Sequence, residues 1–147
     1  MKDVLSLDDI HLSGKRVLYR VDINSPLHPE TGAFLDDGRL RAIIPTLNSL
    51  SEAKVVILGH QSRPGKDDFT DLSGHAERLR RILGRPIRFV PDVCGKEAID
   101  AIRSLKNGEI LCLDNVRMHN EEISLKKAEL DELRLSQIVM NLSLIHI

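Results

Sequence analysis

At 147 residues, 41% of them hydrophobic, the chain is the size of one ordinary domain and can bury a real core. Its 21 Lys and Arg against 22 Asp and Glu leave a net charge of -1 with no lysine run or basic tail, which excludes the electrostatic footprint of a general nucleic-acid binder. Asp3, Asp8 and Asp9 break up the opening stretch, so it lacks the apolar region of a secretory leader, and the longest apolar-leaning run, IVMNLSLIHI, is about half the length of a membrane span. A soluble, cytoplasmic chain without membrane or nucleic-acid partners is expected.

In chain order, VLYRVDI (17–23) is the first of four β-rich runs, apolar on successive residues as in strands covered on both faces of a parallel sheet. Leu40, Ile43, Ile44, Leu47 and Leu50 then follow helical spacing; Pro45 fits only near the first turn of that helix, or kinks it. KVVILGH (54–60) reads as the second strand. Ala76, Leu79, Ile82 and Leu83 predict a helix stopped by Gly84, and IRFVPD (87–92) a third strand. Ala98, Ile99, Ile102 and Leu105 predict a helix stopped by Gly108, followed by EILCLDN (109–115) as the fourth strand. The alternation implies an α/β fold, a Rossmann-like parallel sheet with right-handed crossovers and helices on both faces.

Ligand sites in such sheets lie at the carboxyl ends of the strands. Strand one ends in Asp22 and Asn24, strand two in His60 with Arg63 after it, and strand four is followed by Arg117. Pro91-Asp92, ending strand three, suggests no role. Asp22 and Asn24 point the same way if strand geometry continues, and could hold a hydroxyl; the same residues equally make a turn. Arg39 sits at a helix start, where the dipole disfavours a cation that has no anionic partner.

GHQSRPGK (59–66) comes near the spelling of a phosphate-cradling loop but fails it. Five residues rather than four separate Gly59 from Gly65, and Asp67 rather than Ser or Thr follows Lys66. That leaves His60 and Arg63 as the side chains in this loop able to grip an anion, while a lone loop arginine also reads as a solvated one. No GxGxxG occurs. Cys94 and Cys112 show neither zinc nor disulfide spacing and read as buried small hydrophobes; the six histidines show no paired ligand spacing, so no metal site is expected.

RVDINSP, DDGRLRAIIPTL, GHQSRPGK and LDNVRMHNEE, in this order and at these separations, resemble the N-terminal domain of the phosphoglycerate kinase family, in a form closest to archaeal members, from about Gly14 to Asn141. The resemblance implies an N-terminal domain that binds 3-phosphoglycerate, a C-terminal domain that binds MgATP or MgADP, and closure between them for transfer of the γ-phosphoryl group in glycolysis and gluconeogenesis. It places Asp22 and Asn24 on the substrate's hydroxyl end, and His60, Arg63 and Arg117 in the basic patch for phosphate and carboxylate. Arg39 falls on the catalytic arginine that steadies the phosphoryl group in flight. A monomer is implied, with a dimer as the alternative.

Gln61-Ser62, Asp114 and Met118 replace the hydrophobic residues usual near these motifs. Further strands, another arginine, the hinge and the nucleotide domain that the family carries are not in this sequence. Residues 1–141 are thus expected to be a partial N-terminal domain without kinase activity. Residues 142–147 leave the pattern, resemble translated adapter sequence, and are expected to be a non-native tail. One flank of strand one, near Asp22 and Asn24, is then expected to be an open edge. A non-enzymatic α/β module binding a phosphorylated metabolite or a protein is the alternative.

Overall fold

A computed structural model describes residues 5–118 and 145–146. Strands β1 (Arg16–Arg20), β2 (Lys54–Leu58), β3 (Arg88–Val90), β4 (Ile110–Leu113) and β5 (Ile145–His146) form one sheet in the order β3-β4-β2-β1-β5. Every pairing is parallel. The connections carry helices α1 (Gly38–Ala42), α2 (Ile44–Ser49), α3 (Ser73–Leu83) and α4 (Lys96–Ser104).

Because successive strand side chains point to opposite faces, the apolar runs build two cores. Val17, Val55, Ile57, Ile110 and Cys112 face one side and meet Leu40 of α1, Leu47 of α2, and Ala76 and Leu79 of α3. Leu18, Val56, Leu58, Leu111 and Leu113 face the other and meet Ala98, Ala101 and Ile102 of α4. This is the double covering that unbroken apolar strands require. Cys94 and Cys112 are both buried, and burial pushes the Cys112 thiol up to about 12.

The four expected strands are present but end earlier. Past Arg20 the pairing continues through one bond, Val21 N–H to Leu58 C=O at 2.9 Å, before the chain turns away. The single helix read over 40–50 is two, and Pro45 lies in the first turn of α2, where its missing N–H costs nothing. Gly84 ends α3 in the left-handed region at φ 72°. Gly108, at φ 82°, does not stop α4, which closes at Leu105; it makes the turn into β4 instead.

Two expectations are corrected. The flank of β1 is covered at its start, where β5 pairs with it, Val17 beside Ile145 and Leu18 beside His146; this pairing does not reach the stretch near Asp22 and Asn24. Residues 142–144 and 147 of the stretch read as a tail lie outside the described residues. Asp92, left without a role, caps α4. Its Oδ1 accepts from the Val93 and Gly95 N–H groups at 2.8 and 3.0 Å, and its Oδ2 from Ala98 N–H at 2.9 Å. A carboxylate on the first N–H groups of a helix satisfies donors that have no intrahelical partner. Asp92→Ala is therefore expected to lower stability by about 1–2 kcal/mol, measured by urea denaturation, with Asp92→Asn losing less.

Candidate functional site

The carboxyl ends of β1, β2 and β4 lie side by side, so the loops that follow them share one rim. Past β1, Val21 and Ile23 keep the strand alternation and are buried, which turns Asp22 and Asn24 outward. The turn reading holds as well, since the Asn24 N–H donates to Asp22 Oδ1 at 3.3 Å. Gly59 lets this segment approach β2: a Cβ there would stand 3.0 Å from Ile23 Cγ1 and 3.3 Å from Val21 Cγ2.

Arg39, near the start of α1, has the anionic partner its position called for. Its Nη1 lies 2.7 Å from each oxygen of Asp22, with both side chains about half exposed or more, at 52% and 64%. A pair so exposed contributes about 0–1 kcal/mol, so Arg39 exchanges this partner for another anion at little cost.

The loop after β2 turns twice. Arg63 C=O accepts from Lys66 N–H at 3.2 Å across Pro64 and Gly65, the latter at φ 85°, which is a type II turn. It does not lead into a helix, since α3 begins at Ser73, and a phosphate-cradling loop is excluded on geometry as it was on spacing. His60 is half-buried and Arg63 exposed, one on each side of the Gln61-Ser62 pair.

Ser62 adopts φ 55°, a left-handed conformation rare for a residue with a side chain. Its N–H donates to Asn24 Oδ1 at 2.9 Å, its carbonyl accepts from Arg117 Nη1 at 2.9 Å, and its hydroxyl donates to Asp68 Oδ1 at 2.5 Å. Asn24, the His60–Arg63 loop and Arg117 are thus joined through one strained residue, while Asp22 and Arg39 form a second group beside Asn24.

Beneath the rim lies a polar layer that spacing did not reveal. Gln61 is fully buried: its Oε1 accepts from Ser25 N–H and His75 Nε2–H, each at 2.9 Å, and its Nε2 donates to the carbonyls of Ser25 at 2.9 Å and Asp68 at 3.3 Å. Asn115, equally buried, donates to the carbonyls of Gln61 and Thr70 at 2.8 Å and accepts from Arg117 N–H at 3.1 Å. Asp114 Oδ1 accepts from the N–H groups of Leu72 and Asn115 at 3.1 and 2.7 Å. Gln61 and Asp114, which read as mild departures, are structural members of the site. The one available signal was a run of polar residues at the end of an apolar strand.

A hollow of about 350 Å³ lies nearby, lined by His28, Phe34, Asp68, Phe69, Asp71 and His75 among others, and by none of the six candidate residues. Its carboxylates, which include Asp67, give it the wrong sign for an anion. The candidate cationic groups stand on the open rim instead. Among the described residues no cluster of three or more His, Cys, Asp or Glu is gathered for a metal. His119 to Glu122 of the fourth motif lie outside the described residues.

His75 is buried, and burial pushes its pKa down to about 4, opposed in part by Asp71. It is neutral at ordinary pH, donating through Nε2 while its buried Nδ1 has no partner. Between pH 6.5 and 4 the unfolded chain takes up this proton and the folded chain does not, so stability present above pH 6.5 drains as pH falls. The expected loss is about 3 kcal/mol over that interval. Urea denaturation across this range should show it, and His75→Phe, which packs on Phe34 as the imidazole does, should flatten the slope.

Comparisons with known proteins bear on the family and the fold. A sequence profile described as phosphoglycerate kinase matches residues 7–144. The chain is 48% identical over 124 residues to the phosphoglycerate kinase of Methanocorpusculum labreanum, covering 84% of this chain and 31% of that protein. It is 41% identical over 143 residues to the enzyme of Thermoplasma volcanium, covering 97% and 35%. The crystal structure of phosphoglycerate kinase from Pyrococcus horikoshii OT3 superposes with a TM-score of 0.86 at 33% identity, over 95% of this chain and 35% of that one. The chain thus spans about a third of the length of the curated relatives it matches, and it belongs to the phosphoglycerate kinase family.

Proposed function

We propose that this chain is the acceptor-binding part of a cytoplasmic phosphoglycerate kinase, which transfers the γ-phosphoryl group of ATP reversibly to the carboxylate of 3-phosphoglycerate. The observation that carries this reading is the gathering of Asn24, Arg117 and the His60–Arg63 loop around Ser62, beside the Asp22–Arg39 pair. Asp22 and Asn24 take the substrate's hydroxyl end. His60, Arg63 and Arg117 take its phosphate and carboxylate, for which the planar arginine fork is suited. Arg39, weakly held by Asp22, turns to the transferring group and neutralises the charge that grows on it.

The acceptor needs no general base. A carboxylate with an ordinary pKa near 4 is already ionised at neutral pH, so there is no proton to remove. Catalysis then rests on alignment and on charge neutralisation, for which the rim supplies arginines, and no base role is asked of His60 or Asp22. The nucleotide and its magnesium fall to the part of the kinase outside these residues; no side chain here is assigned to them. No helix among the described residues is long and apolar enough to cross a membrane.

In the full-length kinase that carries this segment, Arg39→Lys keeps the charge but loses the planar fork. It is expected to lower kcat by about 100-fold while raising the acceptor KM far less. Steady-state kinetics with both substrates varied reads this, and an unchanged kcat removes Arg39 from the reaction. A polypeptide of these 147 residues alone is expected to bind 3-phosphoglycerate in a calorimetric titration, to lose that binding with Arg63→Ala, and to transfer no phosphoryl group.

A further inference from the structure

We propose that Gln61 is a positioning residue of the acceptor site, one that fixes Asn24 and Arg117 without touching substrate; this rests on the acceptor-binding reading. Its side chain is fully buried. Asn24 and Ser62 are joined by one hydrogen bond, and Gln61 holds the chain on both sides of that bond. On one side its amide exchanges two hydrogen bonds with the backbone of Ser25, the residue after Asn24. On the other it directly precedes Ser62 and grips the carbonyl of Asp68, whose carboxylate takes the Ser62 hydroxyl.

Ser62 needs such a hold. A non-glycine residue at φ 55° persists only where its surroundings over-determine it. The Gln61 carbonyl is in turn held by Asn115, and Asn115 accepts the Arg117 backbone N–H while the Arg117 guanidinium caps the Ser62 carbonyl. The ring of contacts closes on itself, with the Gln61 amide joining the β1 loop to the β2 loop and to His75 of α3. Leucine has nearly the same volume but offers none of these bonds. Replacing Gln61 by it leaves Ser25 N–H and His75 Nε2–H without acceptors and two carbonyls without donors.

The test uses the full-length kinase with Gln61→Leu, and with Gln61→Glu, which keeps both acceptor bonds, loses the donors, and serves alone if the leucine variant does not fold. The acceptor KM is expected to rise about tenfold or more while the nucleotide KM stays within about twofold and kcat changes less than the acceptor KM. Without substrate, amide hydrogen exchange at Ser25 and Ser62 is expected to speed up about tenfold or more, with the β2 and β4 amides unchanged. An unchanged acceptor KM, both KM values and kcat moving together, or unaltered exchange at Ser62 overturns the proposal. If the parent kinase does not turn over 3-phosphoglycerate, the acceptor reading fails, while the exchange data still decide whether Gln61 positions the loop.

Discussion

At the carboxyl end of a parallel sheet the backbone runs out of ladder partners, and every N–H and C=O that turns away there while buried must find another. In this chain three loops turn away at neighbouring points, after β1, β2 and β4. Two carboxamides answer the demand. Gln61 supplies two donors and an acceptor to Ser25, Asp68 and His75, and Asn115 supplies donors to Gln61 and Thr70. A carboxamide suits the task because it donates and accepts from one planar group without carrying a charge into the interior. The loops are locked to each other as well as within themselves, so the side chains above them inherit a fixed separation.

What stands above that layer is cationic and open. Arg39 is held by one exposed ion pair, Arg117 by a carbonyl, and Arg63 is exposed. Groups held so lightly can exchange partners for a doubly charged metabolite without a large desolvation cost. The nearby hollow is more enclosed but carries Asp67, Asp68 and Asp71, and it repels the same ligand. Charge, not concavity, marks this rim as the candidate site.

The neutral His75 shows how the two layers depend on each other. Its burial keeps the proton off, and only the neutral ring can pass one hydrogen bond to Gln61 without bringing a charge under the arginines. The same burial exacts its cost in acid, through a chain position that carries no chemistry of its own.

The amino-acid sequence by itself determined the architecture: four apolar runs too continuous for an alternating sheet, three helical stripes between them, and the polar residues left at the strand ends. Those patterns are local, with periods of two and 3.6 residues, and each is written within one element. Through the resemblance of its four motifs it also proposed Asp22, Asn24, Arg39, His60, Arg63 and Arg117 as one candidate site. Tertiary structure alone decided who holds whom. Arg39 meets Asp22 across 17 positions, Gln61 meets Ser25 across 36, and Asn115 meets Gln61 across 54. No periodicity encodes a pairing at such distances; it arises when packing of the two apolar faces brings the loops together and burial then forces each polar atom to find a partner. The pairing of Ile145–His146 with Val17 and Leu18 is of the same long-range kind, whereas Asp92, whose partners lie within six positions, read as idle only because the start of α4 had not been placed.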